Sequence, residues 1–278
     1  MTRTQIDPAD LLKEIETGAV RVIDGSWALD GTDMQALYRQ DHIPGALFFD
    51  LDAISDHSTA LPHMAPSPAQ FAAAVGQMGI GENDPVVIYD RQGLFSAARV
   101  WWTFKLMGHE NVRVLRGGLP AWKAAGLVVS DQVPTPVPTR YTPHHFPEKI
   151  IDINELRNSL KAPGVLILDA RPQARFDGSA PEPRTGLRSG HMPGSRSLPF
   201  NELVRDGALK PRNELAAIFQ SYGIDDVTTV ITTCGSGVTA AVISMALHES
   251  GHASARLYDG SWAEWGQARL DTPVVTGT

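Results

Sequence analysis

The second half of this chain repeats the first, and that repeat constrains its fold more than any other feature. Three landmarks recur in the same order. An apolar run ending in aspartate appears as VRVIDGSW at Asp24 and as VLILDARP at Asp169. A His-x-Pro-Gly turn appears at His42 to Gly45 and again at His191 to Gly194. A further apolar run, a glycine-containing loop and a helical pattern follow as VVIYDRQGLFSAARVWW and TVITTCGSGVTAAVISMA. The third match continues without gaps at a constant offset of 143, which sets Gly108 and His109 on Gly251 and His252, Gly117 on Gly260 and Trp122 on Trp265. Duplication accounts for all of these coincidences at once.

The division this implies is an N-terminal domain over 1–130, a linker over 131–148 and a C-terminal domain over 149–278. The prolines of VVSDQVPTPVPTRYTPHHFPE disfavour helix and interior strand and suit an extended surface connection. Residues 86–89 and 227–233 are apolar enough to be buried parallel strands, and 96–107 and 239–250 read as the helices that follow them. Strands alternating with helices predict an α/β fold, each domain a mostly parallel sheet flanked by helices. In such folds ligands bind at the carboxyl ends of strands.

A net charge of −7 with no basic run argues against nucleic acid as a partner. No stretch approaches the roughly 20 apolar residues of a membrane span, so no membrane partner is expected. The N-terminus lacks the pattern of a secretory leader and reads as a helix, with Asp7 before Pro8 and Leu11, Leu12 and Ile15 on one side. A single cysteine forms no internal disulfide and no thiolate-rich metal site, which suits a reducing compartment, the cytoplasm by default.

That cysteine, Cys234, ends a predicted strand and opens the loop CGSGVTA. Gly235 and Gly237 let the backbone curl so that several N–H groups face one point, at the positive end of the following helix. Such a cradle favours an anionic sulfur, and the anion is the nucleophile. Phosphate-ester chemistry on a loop of this kind needs an arginine six positions after the cysteine, and that position is Ala240.

CGSGVTA, with YDGSWAEW at 258–265, resembles the tandem-domain rhodanese superfamily over nearly the whole chain, and within it the branch that takes sulfur from 3-mercaptopyruvate. Thiosulfate-preferring members tend to carry basic residues after the cysteine, where this chain has Gly235 and Ser236. The resemblance implies a sulfurtransferase that holds sulfur as a Cys234 persulfide in the loop formed by Gly235, Ser236, Gly237, Val238 and Thr239. It implies substrate contacts from Arg175 and Arg184, with Arg188 a weaker candidate, and a proton relay of Asp52, His63 and Ser236. No metal or organic cofactor is implied. The partners implied are a small sulfur donor and a thiol acceptor such as thioredoxin or glutathione. The alternatives are a thiosulfate sulfurtransferase and a rhodanese-like module that binds without chemistry. The first half carries Arg91 in the cysteine's place, and Phe95 where the family often has tyrosine. Trp27 and Trp262 are expected to wall the substrate cleft, and Trp101 and Trp102 to be packing.

Overall fold

A computed structural model describes residues 4–225, 227–252 and 255–277. Two compact units divide the chain. One comprises residues 1–56, 65–146 and 206–209, and the other comprises 57–64, 147–205 and 210–278. Two short excursions thus cross the division that the repeat suggests. The connection after the first His-x-Pro-Gly turn is five residues longer than its counterpart, and its segment 57–64 belongs to the second unit.

In the first unit the strands are Gln5–Ile6 (β1), Arg21–Asp24 (β2), Leu47–Phe48 (β3), Val86–Tyr89 (β4) and Val112–Leu115 (β5). They pair in the order β1-β5-β4-β2-β3, all parallel. In the second unit Ile150–Ile151 (β6), Val165–Asp169 (β7), Arg196–Ser197 (β8), Thr229–Thr233 (β9) and Arg256–Tyr258 (β10) pair as β6-β10-β9-β7-β8, again all parallel. The two orders are the same, so the sequence repeat is a structural one. In both units helices cover the sheet, which is why β4 is wholly buried and reads as an unbroken apolar run.

The remaining landmarks repeat as packing devices. His42 and His191 are buried, and each bonds through Nδ1 to a backbone carbonyl, of Tyr38 at 2.7 Å and of Phe176 at 2.9 Å. Each also bridges by backbone to a later strand-like segment, at Ser130 and at Val275. Trp122 and Trp265 fill the two cores, and their indole N–H groups donate to the carbonyls of Val128 and Pro273. Trp101 and Trp102 are buried, as packing residues should be.

Two local expectations need correction. Strand β9 begins at Thr229, and Val227 is 85% exposed. The Asp225 side chain accepts from the Val227 amide and the Thr228 hydroxyl, and this turn keeps the preceding residues out of the ladder. The proline-rich connection is extended but tied down. The amides of Thr139, His144 and Phe146 bond to Gly76, Met107 and Leu106 of the first unit, and Tyr141 is 5% exposed.

The helix after the cysteine loop, Ala240–Ser250, is buried on every side through Leu247. It stops at Gly251, whose φ of +107° lets its N–H bond back to the Leu247 and His248 carbonyls. Its N-terminus follows the end of β9 after the loop 234–239.

Candidate active site

Cys234 follows the last residue of β9 and is 2% exposed. Its backbone is fixed on both sides. The Cys234 carbonyl accepts from the Trp262 amide and the Gly235 carbonyl from the Ala263 amide, each at 2.9 Å. The Cys234 amide donates to Ser261 Oγ at 3.3 Å, and that hydroxyl donates to the Tyr258 carbonyl at 2.9 Å. Among the described residues, the amides of Gly235, Ser236, Gly237, Val238 and Thr239 have no protein acceptor. They are the donors left for an anion held in the loop.

The first unit shows what such donors do when the protein supplies the anion. At the offset of 143, Asp90 stands where Thr233 does, and Arg91 where Cys234 does. The buried Asp90 carboxylate accepts from the amides of Gln92, Phe95 and Ala97 at 2.7–2.9 Å. Burial pushes its carboxyl above the usual carboxylate range, and those N–H groups pull it part of the way back. The Arg91 guanidinium turns away onto the Leu37 and Asp41 carbonyls and the Asp41 carboxylate. Hence the first loop is closed by its own aspartate.

In the second unit two arginines converge on the loop. A Cβ placed on Gly235 would lie 3.1 Å from Arg175 Nη2 and 3.7 Å from Arg184 Nη1, so a side chain there would crowd the guanidinium groups. Arg184 Nη2 donates to Ser236 Oγ at 3.3 Å, and His63 Nδ1 bonds the same oxygen at 2.9 Å. His63 and Ser236 are buried, at 5% and 4% exposure. His63 sits at φ +59°, a left-handed conformation that costs a histidine about 1 kcal/mol or more and persists only where the surroundings impose it. Of the expected site residues, the structure therefore brings Cys234, Ser236, His63, Arg175 and Arg184 together. Asp52 belongs to the first unit, where it accepts from the Trp27 indole at 3.1 Å, and the cap of its helix is Asp50. Phe95 lies near-parallel to Trp27 at 6.2 Å.

Three residues that support the site were not anticipated. Glu182, its side chain 2% exposed, bonds Arg175 through Nε at 3.2 Å and Nη2 at 2.5 Å. It also bonds Arg171 at 2.8 Å. Arg171, 1% exposed, is held by Asp169 at 2.7 Å and by the Gly190 carbonyl, and lies 4.1 Å above the Trp262 ring. Burial works against its charge, yet Asp169 and then Glu182 hold the guanidinium even more firmly protonated than usual. The third residue is Ser261, at φ +49°, where the first repeat has Gly118 at φ +54°. A glycine-to-serine difference at a left-handed position is a signal that comparing the repeats offers.

Two expectations fail here. Trp262 does not wall a cleft: it is fully buried in the core beneath Arg171. Arg188 bonds the carbonyls of Trp265, Gly266 and Thr272, which makes it a clamp on the C-terminal turn rather than a substrate contact.

The rhodanese-like domain model matches this chain twice, over residues 7–125 and 152–268. The chain is 40% identical over 278 residues to the 3-mercaptopyruvate sulfurtransferase of Escherichia coli strain K12, with 99% of each sequence covered. It is also 40% identical to a mitochondrial thiosulfate/3-mercaptopyruvate sulfurtransferase of Arabidopsis thaliana, covering 92% of this chain and 73% of that one. The crystal structure of the E. coli 3-mercaptopyruvate sulfotransferase SseA superposes with a TM-score of 0.86 at 36% identity, covering 95% of this chain and all of that one. The chain belongs to the rhodanese family, as a tandem pair of rhodanese-like domains.

Proposed function

We propose that this protein is a sulfurtransferase that takes sulfur from 3-mercaptopyruvate, holds it as a Cys234 persulfide and passes it to a thiol or to cyanide. The convergence of Arg175 and Arg184 over Gly235, the residue next to Cys234, carries this reading. Paired guanidinium forks suit a donor that bears a carboxylate beside a ketone.

In the first half-reaction the Cys234 thiolate attacks the donor sulfur. The carbon–sulfur bond breaks, and its electrons go into the enolate of pyruvate. The proton of the donor thiol ends on the pyruvate methyl carbon, and Cys234 keeps an anionic outer sulfur. The loop amides of 235–239 are the donors proposed to receive that charge. His63 and Ser236, 2.9 Å apart, are the groups proposed to move the proton. Asp52 is proposed for the same relay on its motif position alone. In the second half-reaction an outside nucleophile removes the sulfur, because the chain holds no second thiol to resolve the persulfide. Thioredoxin and glutathione are the acceptors proposed, and the cytoplasm is the compartment proposed. No helix among the described residues is long and apolar enough to cross a membrane.

Incubation with 3-mercaptopyruvate should add one sulfur atom to the protein mass and release stoichiometric pyruvate. A loop that loads from thiosulfate and not from mercaptopyruvate would reverse the donor assignment. The neutral Gly235 and Ser236 favour the carboxylate donor over a dianion.

Glu182 is proposed to aim Arg175 at the donor. The substitution Glu182→Gln keeps its shape and removes its charge, and the KM for mercaptopyruvate should rise about tenfold, with kcat affected less. Steady-state kinetics beside a melting curve checks this, and an unchanged KM in a folded variant would remove Glu182 from the site.

A further inference from the structure

A cavity of about 410 Å³, lined in part by Arg184 and not by Arg175, lies within the second unit. Its lining combines apolar side chains, among them Leu61, Pro62 and Ala263, with Arg184, Arg269 and Gln267. No carboxylate lines it, although the chain as a whole is acidic. Arg269 is not randomly placed, since its Nε donates to the Gln267 side-chain oxygen at 2.8 Å, and Gln267 in turn donates to the Ala263 carbonyl at 2.7 Å. The cysteine loop does not itself line the cavity, but two lining residues bond to it. The Ala263 amide bonds the carbonyl of Gly235, and Arg184 reaches Ser236 Oγ at 3.3 Å.

We infer that this cavity is the acceptor subsite, and that it takes a small thiol bearing a carboxylate. This rests on the sulfur-carrying role of Cys234. Charge complementarity selects the class of acceptor: a lining with two arginines, a glutamine, apolar side chains and no carboxylate fits an anionic head on a short aliphatic thiol. Arg269 binds the carboxylate, and the thiolate is presented to the loop. The acceptor thiolate attacks the outer sulfur of the Cys234 persulfide, and the sulfur–sulfur bond breaks. Its electron pair returns to Cys234 Sγ as thiolate, and the acceptor leaves as a persulfide anion carrying the transferred sulfur.

The test uses protein loaded with sulfur from 3-mercaptopyruvate and freed of excess donor. It is then mixed with 3-mercaptopropionate or with 2-mercaptoethanol, and the loss of one sulfur atom is followed by mass spectrometry. Half-saturation should fall at a concentration about tenfold lower for the carboxylate thiol than for the neutral one. The substitution Arg269→Glu should erase or invert that preference, and Arg269→Lys should keep part of it. Because both reagents are read on the same loaded protein, folding and loading cancel from the ratio. Equal half-saturation in the unsubstituted protein, or a preference that survives Arg269→Glu, would overturn the subsite while leaving the persulfide intact. A protein that never gains sulfur would overturn the role of Cys234 and this inference together.

Discussion

Replacing Cys234 by serine should reduce pyruvate release from 3-mercaptopyruvate by at least about a thousandfold, because a hydroxyl neither ionises near neutral pH nor forms a persulfide. The fold should survive. The cysteine is buried but small, and its local bonds run through backbone groups: its amide to Ser261 and its carbonyl to Trp262. The informative measurement is single-turnover pyruvate release paired with the mass of the intact protein. Substantial turnover in the serine variant would place the sulfur elsewhere and sink the mechanism.

The largest effect on stability is expected at Arg171. Its guanidinium neutralises Asp169 and Glu182, bonds the Gly190 carbonyl and covers the face of Trp262. Arg171→Ala leaves the buried Asp169 without its cation, leaves Glu182 to Arg175 alone and opens a void over an indole, a change that costs about 3–5 kcal/mol. Urea unfolding of the variant should show this as a fall in midpoint. A deficit under about 1 kcal/mol would mean that the network is dispensable. Activity should fall as well, because Glu182, freed from Arg171, no longer fixes Arg175.

The fold was legible because it is stated twice. Either His-x-Pro-Gly turn alone is a weak signal, but two of them at matched positions, each after a strand ending in aspartate, leave little choice of architecture. The cysteine loop was legible for a similar reason, since the candidate groups lie in consecutive residues from Cys234 to Thr239. Glu182 and Arg171 were not legible. Their importance lies in the meeting of a β7 terminus with a loop 11 residues later, and an acidic residue between two prolines, Pro181 and Pro183, reads as solvated surface. Trp262 was misplaced because a serine-tryptophan pair at a loop end gives no sign of which way the ring turns. Ser261, the quieter member of that pair, proved to be the one touching the cysteine backbone.

The aspartate that closes the first loop bears on how the two halves came to differ. A thiol installed at position 91 would still meet amides already occupied by the Asp90 carboxylate. Removing Asp90 alone would strip three N–H groups of their acceptor, that of Ala97 buried, and gain no nucleophile. Recovering chemistry in the first half therefore takes two changes at adjacent positions, and neither is of use without the other. The two loops are thus separated by a paired barrier at positions 90 and 91, which no single substitution crosses.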